Sequence, residues 1–244
     1  MEDLFKAEQE FYQEAKRHAA EMESGTQLDR EIFQELVNEY GRLLRVLRRI
    51  TKMSERETVV TDTGSRDLAD KGYYDELTGI FNKQFVEEKL KLIIGTLVRF
   101  RSPLSLLLIE IDFFDEFKAA YGDTEGNECL RAIAETVDGS MLRASDFAAR
   151  YDRGEFVVIL PDTDESGARV IARKILDNVR ALNVPHKKSE AASFVTISVG
   201  ATTSDVDFKH SSMDYISRAR EALELSKHDG RDTYTFLSFL ESKQ

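Results

Sequence analysis

The sequence predicts an α+β fold, a largely antiparallel sheet covered by helices, preceded by an α-helical segment. Three observations point there. From about residue 83 onward, short apolar β-like runs alternate with amphipathic stretches of helical period. Two of those runs, "FAARY" and "FVVILP", are joined by only Asp152-Arg153-Gly154-Glu155, which sets a hairpin in the middle of the chain. Finally, the three prolines, Pro103, Pro161 and Pro185, all lie in the later part, and residues 1–58 have none. Mixed strand and helix order with a central hairpin argues against a purely parallel, doubly wound sheet.

Taken in order, the first expected helix covers roughly residues 2–23 and is broken near Gly25. In the second, Phe33, Leu36, Tyr40, Leu43, Leu47 and Ile50 recur at alternating steps of three and four, the seam of a coiled coil. Arg42, Arg45, Arg48, Arg49, Lys52 and Arg56 lie on the opposite face. Residues 1–58 are therefore expected to form a helical, dimerising signalling segment, the alternative being a helical hairpin closed on itself or on the main domain. Residues 59–72 read as a hinge and residues 73–244 as the main domain. In that domain a helix is expected over about 83–100, and "SPLSLLLIEID" reads as a buried strand. Helices follow at about 113–120 and 125–139, then the hairpin and an amphipathic helix over 165–182. "SFVTISVGATT" is a further strand, 212–228 a helix, and a last strand falls near "DTYTFLSF".

Composition narrows the function. A net charge of −11 argues against nucleic acid or an anionic membrane as a non-specific partner, since both reward a basic face. The charged N-terminus has no apolar signal-peptide core, and no run reaches the ~20 apolar residues of a membrane span, so no membrane insertion and a cytoplasmic location are expected. Cys129, the single cysteine, sits in an apolar helical pattern and reads as a small buried hydrophobe; no disulfide framework exists.

The chemistry-bearing positions fall in three places. Alternation sends Glu110 and Asp112 at the end of the buried strand to one face, where they either hold a divalent cation through oxygen ligands or lie in solvent. If the strand ends are adjacent, Glu155 joins them, and three converging carboxylates repel one another without a cation. Gly154 leaves backbone free to approach a ligand. Lys227 and Arg231 close a helix in "SKHDGRDTY", where they either complement the helix dipole or clamp phosphate.

These segments together resemble the GGDEF domains, the family of diguanylate cyclases. "DELTGIFNKQFVEEKL" resembles the family's opening signature and "IEIDFFDEFKAAYGDTEGNECL" its metal-and-guanine segment. "RYDRGEFVVILP" resembles the segment carrying the name motif, and "SVGAT" and "SKHDGRD" the closing pieces. The resemblance covers about residues 73–240 and implies a cyclase-palm-like sheet with covering helices.

It also implies a degenerate active site. The family's first metal Asp is Glu110 here, which reaches a metal only with displaced geometry; Ile111 would offer its carbonyl, and Asp112 follows the family. The guanine-reading Asn and Asp correspond to Lys118 and Asn127, and Lys118 has no acceptor. Asp115 and Asp123 replace the family's Lys and His, adding negative charge where a triphosphate approaches. In the name motif, DRGEF stands for GGDEF, so the required acid at the third position is Gly154. Glu155, Phe156 and the phosphate-contacting positions Lys227 and Arg231 are retained. Arg143 and Asp146, five residues ahead of DRGEF, resemble the family's RxxD inhibitory site for cyclic di-GMP, with basic helpers at Arg173 and Lys174.

The expectation is a catalytically degenerate GGDEF domain acting as a cyclic di-GMP receptor, a homodimer through its N-terminal helices, with a downstream protein partner and no required cofactor. The alternatives are an active diguanylate cyclase, with Mg²⁺ held by Glu110, Ile111 and Glu155, and a nucleotide-free interaction module.

Overall fold

The computed structural model describes residues 72–100, 102–141, 143, 145–205 and 210–239. The expected coiled coil and all but the last residue of the expected hinge lie outside the described residues.

Chain order is β1 (Phe81–Asn82), α1 (Lys83–Phe100), β2 (Pro103–Ile111), α2 (Phe114–Tyr121), α3 (Asp123–Gly139), β3 (Phe147–Asp152), β4 (Glu155–Pro161), α4 (Glu165–Leu182), β5 (Ile197–Asp205), α5 (Ser212–His228) and β6 (Tyr234–Phe236). The strands form one sheet in the order β1-β3-β4-β2-β5-β6. Strand β2, buried without interruption from Leu104 to Ile109, lies between two antiparallel neighbours, β4 and β5, and is covered on both faces. The outer pairs β1–β3 and β5–β6 are parallel, so the sheet is mixed rather than uniformly antiparallel.

Helices α3 and α4 bury one face of the sheet. Ile133, Ala134 and Val137 of α3 meet Ile171, Ala172 and Ile175 of α4 over Val158 and Val199 in one apolar cluster. Cys129 is buried in it, and burial pushes its thiol up to about 12. On the opposite face, α1 and α5 pack on the strands and on each other. α5 comes so close to β5 that a Cβ at Gly200 would stand 2.1 Å from the Ala219 carbonyl oxygen and 2.1 Å from the Leu223 nitrogen. The glycine of "SVGAT" is thus a packing requirement. The same close approach brings the C-terminus of α5 over the ends of β2 and β4.

The helices begin on local caps. The Asp164 side chain accepts from the Gly167 N–H at the start of α4, and Ser211 and Asp214 form a reciprocal capping box on α5. The "DELTG" turn is held the same way. Asp75 accepts from the Thr78 N–H at 2.9 Å and hydroxyl at 2.7 Å, and the Arg150 guanidinium lies 3.2 Å from both its carboxylate oxygens. Arg150 also donates to the Arg153 carbonyl at 2.9 Å, so the opening signature is tied to the turn of the central hairpin.

Candidate functional site

The β3–β4 turn is tighter than the sequence pattern indicates. Asp152 pairs with Glu155, leaving only Arg153 and Gly154 between the strands. Glu155 is also the register partner of Glu110 across β2–β4, so two carboxylates stand side by side as expected. Like charges directly opposite in a sheet destabilise it unless they are neutralised.

The chain supplies the neutralising charges. Arg220 of α5 forks onto Glu155, with bonds of 2.6 and 2.8 Å to the two carboxylate oxygens, while Glu155 is only 7% exposed. The Glu155 carboxylate, as hydrogen-bond acceptor, holds the Arg220 guanidinium above its ordinary pKa. Lys227 lies 2.6 Å from Glu110 and 3.0 Å from Glu224. Burial works against its charge, but the two carboxylates outweigh burial and raise its pKa.

Asp112, just past the end of β2, is 3% exposed. Thr196 and Ser198 donate their hydroxyls to its two oxygens at 2.8 and 2.7 Å, and the Asp232 N–H donates at 3.2 Å. Burial raises the Asp112 pKa; the hydroxyls of Ser198 and Thr196, the Asp232 N–H and the Arg231 charge each oppose that rise. Arg231 reaches Asp112 at 3.9 Å and lies 4.3 Å over the Phe113 ring. Arg231 and Asp232 both adopt left-handed backbone, with φ of 64° and 48°. Such residues persist only when their surroundings over-determine them. Here the Asp112 carboxylate takes the Asp232 N–H, and Arg180 grips the Asp232 side chain at 2.9 Å and its carbonyl at 2.7 Å.

This donor set does not fit a divalent cation. Both oxygens of Glu155 are on Arg220, one oxygen of Glu110 is on Lys227, and both oxygens of Asp112 are on hydroxyls. Gly154 adds no oxygen ligand from a side chain, and the Ile111 N–H donates to the Gly154 carbonyl at 3.1 Å. Among the described residues, no group of three or more His, Cys, Asp or Glu side chains is arranged to hold a metal ion. The space beside Gly154 is itself filled: a Cβ there would meet the Phe114 ring at 3.0 Å.

Lys118 and Asn127, the positions expected from the resemblance to face guanine, lie among the chain's own contacts. The Lys118 stem lies where a Cβ on Gly126 would come within 2.8 Å of it, next to Asn127, and its ammonium pairs with Asp123 at 2.7 Å. That bond and the Lys118 charge hold the exposed Asp123 carboxyl below its ordinary pKa.

Arg143 and Asp146 share a short exposed turn before β3. The Asp146 carboxylate accepts the Arg143 main-chain N–H at 3.0 Å and the Ser145 hydroxyl at 3.2 Å. The Arg143 guanidinium donates to the Asp162 carbonyl at 3.0 Å. The two expected helpers on α4 diverge. Lys174 lies one turn from Asn178, which donates to Ser140 at the end of α3, three residues before Arg143. Arg173 is turned the other way, 3.5 Å from the Tyr234 hydroxyl on β6.

Arg220, Thr196, Ser198 and Arg150 are site residues that sequence reasoning did not single out. For Arg220 one signal was present: it stands seven residues before Lys227, so both cations lie on one face of α5.

Comparison with known proteins agrees with this architecture. The family model described as "Diguanylate cyclase, GGDEF domain" matches residues 72–233. The chain is 33% identical over 160 residues to Response regulator PleD of Caulobacter vibrioides, covering 65% of this chain and 34% of that protein. It is 34% identical over 135 residues to Diguanylate cyclase A of Treponema denticola, covering 55% of this chain and 35% of that protein. The chain thus spans about a third of the length of these relatives. Among solved structures, diguanylate cyclase SiaD of Pseudomonas aeruginosa, in complex with its activator SiaC, superposes with a TM-score of 0.64 at 26% identity, covering 96% of this chain and 88% of that one. The GGDEF domain of DgcB from Caulobacter crescentus, in complex with c-di-GMP, gives a TM-score of 0.59 at 24% identity, over 68% of this chain and 96% of that one. Fold, motif order and family match converge: the chain belongs to the GGDEF family, with its GGDEF domain at residues 72–233.

Proposed function

We propose that this GGDEF domain is a cyclic di-GMP receptor and not a cyclase, binding through Arg143 and Asp146 with Lys174 as the helper from α4. The observation that carries the reading is the exposed Arg143 guanidinium. Among the described residues it holds no carboxylate, only the Asp162 main-chain carbonyl. That bond is exchanged cheaply for a charge-assisted fork onto a guanine edge or a phosphate. The Asp146 carboxylate, three residues on, is the acceptor for guanine N–H groups in this reading.

The former catalytic pocket supports the reading by contrast. Cyclisation needs a 3′-hydroxyl directed at an α-phosphate, with metal charge on both oxygens. Glu110, Asp112 and Glu155 are engaged by the chain's own donors, and Lys118, which brings no acceptor, is paired with Asp123. On this reading neither GTP nor Mg²⁺ is required. The relatives named as diguanylate cyclases, and DgcB solved with c-di-GMP, support cyclic di-GMP as the signalling nucleotide. A cytoplasmic homodimer through residues 1–58 and a downstream protein partner belong to the same proposal. For the described residues, no helix is long and apolar enough to cross a membrane.

Calorimetric titration of the full chain with cyclic di-GMP tests the reading, alongside GTP incubation with Mg²⁺ or Mn²⁺ followed by chromatography. We expect saturable binding, weakened about 10- to 100-fold by Arg143→Ala, the effect of losing one charged bidentate contact. Absence of heat at ligand concentrations of tens of micromolar, or cyclic di-GMP formation lost on Glu155→Ala, overturns it.

A further inference from the structure

We infer that Arg220 and Lys227 are resident cations, standing as fixed parts of the chain where a divalent ion would neutralise Glu110 and Glu155, and that they make this fold indifferent to divalent metals. The inference concerns the former catalytic pocket alone and holds whether or not cyclic di-GMP binds at Arg143.

Glu110 and Glu155 are direct register partners at the end of β2 and the start of β4. Side chains so paired sit about 5 Å apart at their Cβ atoms, where two carboxylates repel. Something positive must lie between or above them. α5 runs over these strand ends, and positions 220 and 227 are seven residues apart on it, two turns or about 10 Å along one face. The spacing delivers one cation to each carboxylate. Arg220 takes both oxygens of the nearly buried Glu155, and Lys227 takes Glu110 at 2.6 Å while reaching Glu224 at 3.0 Å. The forked contact matches a planar guanidinium, which cannot lose its proton in a protein, so this charge is permanent. Asp112 is held by two hydroxyls and a main-chain N–H, with the Arg231 guanidinium 3.9 Å away. A metal ion entering this cluster would have to displace the bidentate Arg220 pair to gain the Glu155 carboxylate. The ion pairs also weld α5 to the strand ends, in addition to the close packing at Gly200.

The test uses the full chain freed of metals with EDTA. Thermal unfolding is followed with and without millimolar Mn²⁺, and manganese binding is read by electron paramagnetic resonance. The parent is expected to show the same midpoint in both conditions and no saturable manganese binding. The Arg220→Gln/Lys227→Gln double variant is expected to unfold several degrees lower, to regain part of that loss with manganese, and to bind the ion at least about tenfold more tightly than the parent. Adding Glu155→Gln to the double variant is expected to remove the gain. Saturable manganese binding by the parent that Glu155→Gln abolishes overturns the inference, and so does a folded double variant that gains no manganese affinity. If the double variant does not fold, Arg220→Lys, which keeps the charge but not the fork, replaces it. The parent measurement decides the question even without either variant.

Discussion

Restoring the missing acid of the name motif, by Gly154→Asp, separates a pocket that lacks one group from a pocket that has been rebuilt. A Cβ at position 154 would stand 3.0 Å from Cδ1 and 3.3 Å from Cγ of Phe114. No positive φ stands in the way, since Gly154 is absent from the left-handed positions. The cost is therefore steric. The Phe114 ring, 8% exposed at the start of α2, must yield by a few tenths of an ångström. Overpacking of this kind costs about 1–3 kcal/mol, and a ring at the core's rim places it in the lower half, about 1–2 kcal/mol. The new carboxylate adds to this cost. Arg220 is already taken by Glu155, and Lys227 is shared by Glu110 and Glu224. For a domain of this size the sum lowers the unfolding midpoint by about 2–8 °C. Scanning calorimetry reads that shift, and chromatography of GTP incubations with Mn²⁺ reads turnover. We expect a less stable protein that forms no cyclic di-GMP, because Lys118 still pairs with Asp123 and Arg220 still holds Glu155. A Gly154→Asp protein as stable as the parent that makes cyclic di-GMP would refute the reasoning.

Two further predictions address the fold around the site. Gly200→Ala places a methyl group 2.1 Å from backbone atoms of Ala219 and Leu223, so α5 must lift from β5; a loss above about 4 kcal/mol in urea unfolding is expected, and a near-neutral result would mean that α5 does not pack so closely. Asp112 has a folded pKa raised above its ordinary 3.8, chiefly by burial. Its contribution to stability is fully present below the unfolded value and is lost as pH rises through the folded one. The stability of the parent relative to Asp112→Asn should therefore fall with rising pH across that window, by at most about 1.4 kcal/mol per pH unit; a difference that stays flat or rises would show that burial does not dominate this carboxyl.

Much of the domain was legible in the sequence for a physical reason: its helices are amphipathic and its central strands continuous. α1, α4 and α5 fall on their expected bounds, and α2 and α3 within two residues of theirs. β1 left no signal because two residues, Phe81 and Asn82, are too few for alternation. β6 is limited to Tyr234–Phe236, although Leu237 still donates to the Ala201 carbonyl of β5, and Ser238 beyond it accepts from Arg218. The parallel direction of the two outer pairs was not legible at all. An apolar run identifies a strand, but its partner and direction are set by the crossover helices packed on the sheet.

The site shows the same division between what is local and what is not. Glu110, Asp112 and Glu155 stood out because three converging carboxylates demand a positive partner, and the side-by-side placement of Glu110 and Glu155 followed from alternation and the hairpin. What the carboxylates would find was not local. Arg220 lies 65 residues beyond Glu155, and the hydroxyls of Thr196 and Ser198 lie 84 and 86 residues beyond Asp112. A carboxylate cluster read from sequence therefore poses a charge requirement and leaves the identity of the cation open. The two basic helpers on α4 carry a related lesson. Consecutive helical residues point about 100° apart, so Arg173 and Lys174 leave the helix in different directions. Arg173 reaches Tyr234 on β6, while Lys174 stands one turn from Asn178, which bonds Ser140 near the Arg143 turn. Position in a motif nominates a residue, and the direction of its side chain from the helix sets the neighbours it meets first.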